Sequence, residues 1–218
     1  MQQLMHVAPA RIRQVLGECR MYFVGDDSVV VVPQARPGHM ARAAAAYRAM
    51  GFQNKLEEVQ HIRDVVFLGQ RPYNVRLSDG TRQWAWGPTL GRRMYKHHCM
   101  LDGEGNPFAW LHQVLIMEAT CYGHVPLLGT LARRGLSLIG GPLKMNKSME
   151  RRMREKTKYT MATATIGRAD QTTFEELAQV YGICPRALQA VDAELSQIPC
   201  FPYFYSHPIL DIIMLKDN

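Results

Sequence analysis

The chain has 218 residues, 26 Lys and Arg against 19 Asp and Glu, and a formal net charge of +7 with neutral histidine. With 47% hydrophobic and 21% charged residues, it can bury a core and does not read as a disordered tail. No apolar run comes near the roughly 18 residues a membrane span needs, the first residues lack a signal-peptide block, and the five irregularly spaced cysteines fit a reducing compartment better than a disulfide framework.

In chain order, residues 2–18 read as a helix interrupted at Pro9. RMYFV over 20–24 is a β-prone run, Gly25-Asp26-Asp27-Ser28 a four-residue turn of turn formers, and VVVV over 29–32 a buried strand that Pro33 ends. Together they make a β-hairpin with adjacent carboxylates at its tip. Pro37-Gly38 opens a loop. Residues 39–50 read as a helix, with Met40, Ala44 and Tyr47 on one face and Gly51 at its C-terminal cap. Strands are expected over 52–56 and 64–68, and a second hairpin over 73–77 and 81–86 around Ser78-Asp79-Gly80.

Beyond about residue 87 the pattern turns helical. Pro107 starts a helix with Phe108, Leu111, Leu115, Ala119 and Tyr122 on one face, closed by Gly123. A short helix follows over about 126–134. Thr173 and Glu176 suggest a capping box for a helix ending near Gly182, and Pro185 starts another with Leu188, Val191 and Leu195 on one side. The expected fold class is α+β, divided into 1–86 and 87–218. The basic excess is focused: KMNKSMERRMREKTK over 144–158 carries 7 positive and 2 negative side chains, +5 of the +7. A second focus holds Arg92, Arg93, Lys96, His97 and His98. Two such foci point to a phosphate-binding surface, with nucleic acid as the first partner to consider.

Adjacent aspartates at a tight turn repel each other, and a divalent cation relieves the repulsion. Mg²⁺ prefers carboxylate oxygens and keeps open positions for substrate phosphates; paired metals clamp the attacking and leaving oxygens of phosphoryl transfer. Asp26 and Asp27 are therefore the candidate metal ligands.

MYFVGDDSVVVV resembles the motif C hairpin of viral RNA-dependent RNA polymerases, AAAAYRAMGFQNKLE the helix, Gly-Phe turn and lysine of motif D, and DVVFLGQRPYNV the motif E hairpin. GPTLGRRMYKHH, GHVPLLGTLARR and YGICPRALQAVDAEL resemble thumb segments of the tombusvirus- and nodavirus-like positive-strand lineage. The resemblance implies a partial palm of antiparallel hairpins and one helix over 1–86 and a helical thumb over 87–218. It implies that Asp26 is the principal Mg²⁺ or Mn²⁺ ligand, Asp27 a secondary one, and Lys55 the acid that protonates the pyrophosphate leaving group. Ser28 joins the nucleotide-contacting residues, Gln70 and Arg71 sit at the motif E turn against the nascent strand, and Arg92, Arg93 and Lys96 line the product duplex. RNA template and product, NTPs and other viral replication proteins are the implied partners, in the host cytoplasm at membrane-associated replication complexes.

Two family motifs are missing. Only 24 residues precede Gly25, so neither the motif A aspartate pair nor the Ser-Gly loop of motif B stands before it. Downstream there is no Ser-Gly dipeptide, and Asp102 and Asp170 lack a suitably spaced acidic partner. The expectation is the C-terminal part of a polymerase, inactive without its missing N-terminal portion.

Two other constellations compete. Cys121-x-x-His124, with His112 and Cys99, holds zinc-ligand types but matches no zinc template; a buried cysteine and a capping histidine are the simpler reading. Residues 173–195 can form a helix-turn-helix around Gly182, making the chain a non-catalytic nucleic-acid-binding module. Its second helix offers Arg186 and Gln189 as base readers but also carries Asp192 and Glu194, which repel phosphate.

Overall fold

The computed structural model describes residues 20–24, 27–31, 38–53, 55–95, 106–140, 147, 151, 168–201 and 203–217. The described residues form a mixed α+β fold, with seven α-helices and two antiparallel two-stranded hairpins. No described helix is long and apolar enough to cross a membrane. The expected helix over 2–18, and the cationic run over 144–158 except for the exposed Lys147 and Arg151, lie outside the described residues. The chain falls into two compact units, 1–61 and 62–218. The second hairpin, which the sequence reading grouped with 1–86, belongs to the second unit.

In the first unit, β1 (Arg20–Val24) pairs antiparallel with β2 (Asp27–Val31), from Arg20 opposite Val31 to Val24 opposite Asp27. Pairing thus reaches two residues further toward the tip than the expected four-residue turn, and Asp27 and Ser28 are strand residues. The strand expected to be buried is open: Val30 and Val31 are 46% and 51% exposed. Among the described residues β2 has only β1 beside it, and a lone hairpin cannot cover its own faces.

Helix α1 (His39–Ala49) forms as expected, with Met40, Ala44 and Tyr47 half-buried on one face. It ends in a Schellman motif, in which Phe52 N–H donates to Tyr47 O and Gly51 N–H to Arg48 O, both at 3.0 Å. Gly51, at φ 86°, supplies the left-handed residue this closure needs. The strands expected over 52–56 and 64–68 do not form among the described residues. Residues 62–64 make a single 3-10 turn, and Phe67 makes only an isolated bridge to Gln70. The β-prone side chains Phe52, Val59 and Val66 stay exposed without a partner strand.

The second unit is built on a hairpin of β3 (Gln70–Arg76) and β4 (Arg82–Pro88), in register from Gln70 opposite Pro88 to Arg76 opposite Arg82. Its Ser78-Asp79-Gly80 turn is tied by Thr81 N–H donating to Asp79 Oδ1 at 2.8 Å. Alternation sends Tyr73, Val75 and Ala85 inward and leaves Trp84 and Trp86 exposed.

Six helices follow: α2 (Leu90–Tyr95), α3 (Pro107–Tyr122), α4 (Leu128–Ile139), α5 (Gln171–Tyr181), α6 (Pro185–Ser196) and α7 (Pro208–Asp217). Asn106 caps α3 by accepting from Phe108 N–H at 2.9 Å. Phe108, expected on the inner face, points to solvent, while Leu111, Leu115 and Cys121 are buried. Helix α4 starts and ends later than 126–134. The capping box of α5 is Asp170 with Thr173, not Thr173 with Glu176: Thr173 N–H donates to Asp170 Oδ1 at 3.1 Å. Thr173 is buried and donates its hydroxyl to Asn74 O at 2.7 Å, which ties α5 to β3. Leu188, Val191 and Leu195, expected on one side of α6, enter the core.

Helix α7 closes this core with Leu210 and Ile213. Its approach to α2 is so tight that a Cβ on Gly91 would lie 2.4 Å from Ile213 O. Sequence reasoning named neither α2 nor α7.

Candidate nucleic-acid interface

The hairpin tip is the first place to look for chemistry. Asp26 lies outside the described residues; Asp27 opens β2 with an exposed carboxylate, and Ser28 is exposed beside it. Successive strand residues face opposite ways, so Asp27 shares a face with Val29 and Ser28 shares the other with Val30. Among the described residues no group of three or more His, Cys, Asp or Glu could hold a metal ion. Asp27 is the described carboxylate at this strand end, of the oxygen-donor type that Mg²⁺ prefers. Lys55, in the irregular stretch after α1, is exposed and pairs with Glu57 at 2.8 Å. The hydrogen bond that Lys55 donates to Glu57, and then the Glu57 charge, hold the lysine above its ordinary range.

The remaining predicted residues separate into structural and available cations. Phe67 and Gln70 exchange backbone hydrogen bonds of 2.8 and 2.9 Å around Leu68 and Gly69, at φ 54° and 70°. This is a two-residue hairpin turn of the primed type. Gln70 closes that turn, whereas Arg71, expected at the turn, is a buried strand residue, 5% exposed. Its Nη2 pairs with Asp217 Oδ1 at 3.5 Å, and its guanidinium carbon lies 5.1 Å from the Tyr181 ring centre. Nε and Nη1 of Arg71 are buried without a hydrogen-bond partner.

Arg71 and Arg92 meet at one cavity of about 370 Å³, lined also by Asp64, Thr89, Lys216 and Asp217. Arg92 reaches it across the turn: a Cβ on Gly69 would lie 3.2 Å from Arg92 Nη1. Asp217 is largely committed, because Oδ2 accepts from Gly91 N–H at 2.7 Å and from the Tyr181 hydroxyl at 2.6 Å. Arg93, expected beside Arg92 on a duplex, instead grips the fully buried Glu118 carboxylate at 2.6 Å. Lys96 lies outside the described residues.

Sequence reasoning missed Lys216, Asp217 and Glu118. Arg71 and Asp217 stand 146 positions apart, and no local pattern announces such a pair.

The competing constellations also have places. Cys121, His112 and His124 are buried. His124 stands edge-on to Tyr73 with ring centres 6.0 Å apart, and burial pushes its pKa down to about 4. Helices α5 and α6 do meet across a tight turn with Gly182 at φ 70°. Asp192, however, is not on an open reading face. It accepts from Leu127 N–H at 2.8 Å and from the Thr130 hydroxyl at 2.9 Å, at the start of α4. Comparison with protein-family models, curated proteins and solved structures finds no match for this chain.

Proposed function

We propose that the chain is the latter part of an RNA-directed RNA polymerase, carrying palm motifs C to E and the thumb. The observation that supports this most directly is the β1–β2 hairpin, whose second strand opens at Asp27 and leaves Val30 and Val31 exposed. A palm hairpin without the part of the palm that carries motifs A and B has that character. In this reading Asp26 and Asp27 hold Mg²⁺ or Mn²⁺ together with a motif A aspartate that this chain does not contain. The metal, when bound, lowers the cost of charge on the transferring phosphate. Asp27 presents its carboxylate at the strand end, and Ser28 contacts the nucleotide. Lys55 delivers a proton to the leaving pyrophosphate once released from Glu57. Gln70, Arg92 and Lys96 contact the RNA strands, Arg71 faces them through the cavity it lines with Arg92, and Arg93 acts by holding α2 against α3 through Glu118.

The test has two arms. The reading frame upstream of the Met1 codon is expected to encode motifs A and B in frame; a stop codon there without those motifs overturns the reading. The extended product is expected to add NTPs to primed RNA with Mg²⁺ and to lose that activity in Asp26→Ala, while the 218-residue chain adds none. Incorporation by the short chain, or incorporation retained in Asp26→Ala, overturns it. The helix-turn-helix alternative predicts instead sequence-selective duplex binding that depends on Arg186 and is indifferent to Asp26.

A further inference from the structure

A second basic cavity, independent of the hairpin tip and of the polymerase reading, lies in the 62–218 unit. It has a volume of about 490 Å³ and is bordered by α4, α6 and the residues just before α5. Three arginines line it, Arg133, Arg134 and Arg168, against one carboxylate, Asp192. Three cations against one anion leave the cavity a local excess of positive charge, and the Asp192 carboxylate is turned to Leu127 N–H and the Thr130 hydroxyl.

Two of the three guanidiniums are also fixed in place. Arg133 donates to Gly123 O at 3.0 Å and to the Thr130 hydroxyl at 3.2 Å, and Arg134 donates through Nε to Ile198 O at 2.9 Å. These bonds leave other guanidinium N–H groups of both residues over. Burial, and then the like charge of Arg168, lower the pKa of Arg133. An anion between them relieves both effects.

We propose that this cavity binds a phosphate group, through Arg133, Arg134 and Arg168. A planar guanidinium presents paired donors that match phosphate oxygens, and three of them from two elements suit an anion whose oxygens point several ways. Thr130, Gln189 and Ser196 add neutral hydrogen-bonding groups to the wall, and Val125 and Phe174 an apolar part. The volume exceeds that of a bare phosphate and lies in the range of small-molecule sites, about 300–1,000 Å³. The phosphate can therefore belong to a free nucleotide or to an RNA backbone.

The experiment is isothermal titration of the whole chain with ATP, with pyrophosphate and with a single-stranded RNA of about ten nucleotides, a length within the usual single-strand site range. Arg168→Gln is the main variant because Arg168 is exposed and its loss spares the core. Arg134→Lys is the second, since it keeps the charge and removes the fork. Saturable binding that weakens about tenfold in Arg168→Gln, at unchanged melting temperature, is the expected result, with a smaller loss in Arg134→Lys. Response to ATP and pyrophosphate assigns a free nucleotide; response to RNA alone assigns a backbone phosphate. No binding by any of the three probes, or binding equal in the wild type and Arg168→Gln, overturns the proposal.

Discussion

The two units of this chain are held together in different ways. In the first, no described side chain is buried; β1, β2 and α1 owe their form to pairing, to turn geometry and to the Schellman closure at Gly51. In the second, Leu188, Val191, Leu195 and Ile213 are each at most 1% exposed and belong to one continuous apolar cluster. Local backbone bonds can specify an element, but stability comes mainly from apolar area removed from water. The exposed Val30, Val31, Met50 and Phe52 of the first unit are therefore residues with burial still to gain.

The sharpest way to break this contrast is to truncate one apolar side chain in each kind of surroundings. Leu188→Ala removes a fully buried side chain and should cost about 3–4 kcal/mol, read as a lower urea midpoint. Val30→Ala, on the open strand, should cost less than about 1 kcal/mol. Equal losses would mean that β2 is covered in solution. Arg93→Ala tests the polar part of the second core. It removes the Arg93 ion pair from the Glu118 carboxylate, which is 0% exposed, and should cost about 3 kcal/mol. A residue that served only as an RNA contact would leave the free protein's stability unchanged.

The same contrast explains what could be read in advance. Elements set by nearby residues were legible: the hairpin tip at Asp27, the end of α1 at Gly51, the β3–β4 turn at Asp79, and the start of α6 at Pro185. Each depends on side chains within a few positions of one another. The strands expected over 52–56 and 64–68 failed because β-propensity reports suitability for a pleated, half-buried surface, and the described residues supply no partner strand there. The α5 cap shifted by three residues because Asp170 and Thr173 both suit the role, and the bond from Thr173 to Asn74 O in β3 decides the register. Of the candidate site, the hairpin that carries Asp27 was legible. The burial of Arg71 against Asp217, and of Glu118 against Arg93, were not, because each needs helices distant in the sequence to meet.

Acid should act on the second unit through His124. Burial lowers its pKa from 6.5 to about 4, so the folded state resists a proton that the unfolded state accepts. Its neutral form contributes fully above about pH 7, and that contribution is lost as pH falls from 6.5 toward 4. The loss is on the order of 2–3 kcal/mol. Melting temperatures across this window should fall in the wild type and change less in His124→Leu; identical slopes would remove His124 from the account.

The smallest effect isolates the first unit. Gly51 sits at φ 86°, and a Cβ there would meet nothing within 4 Å, so Gly51→Ala adds no clash and tests backbone conformation alone. Holding an alanine in the left-handed region costs about 1 kcal/mol. Opening of the α1 terminus should then rise about fivefold, seen as faster hydrogen exchange at the Gly51 and Phe52 amides, whose bonds to Arg48 O and Tyr47 O depend on that conformation. The amides of α6 serve as the reference. If they accelerate equally, α1 opens only with the second unit, and the separation drawn between local closure and core burial fails. If only the α1 amides respond, one turn of backbone geometry is what holds that helix end.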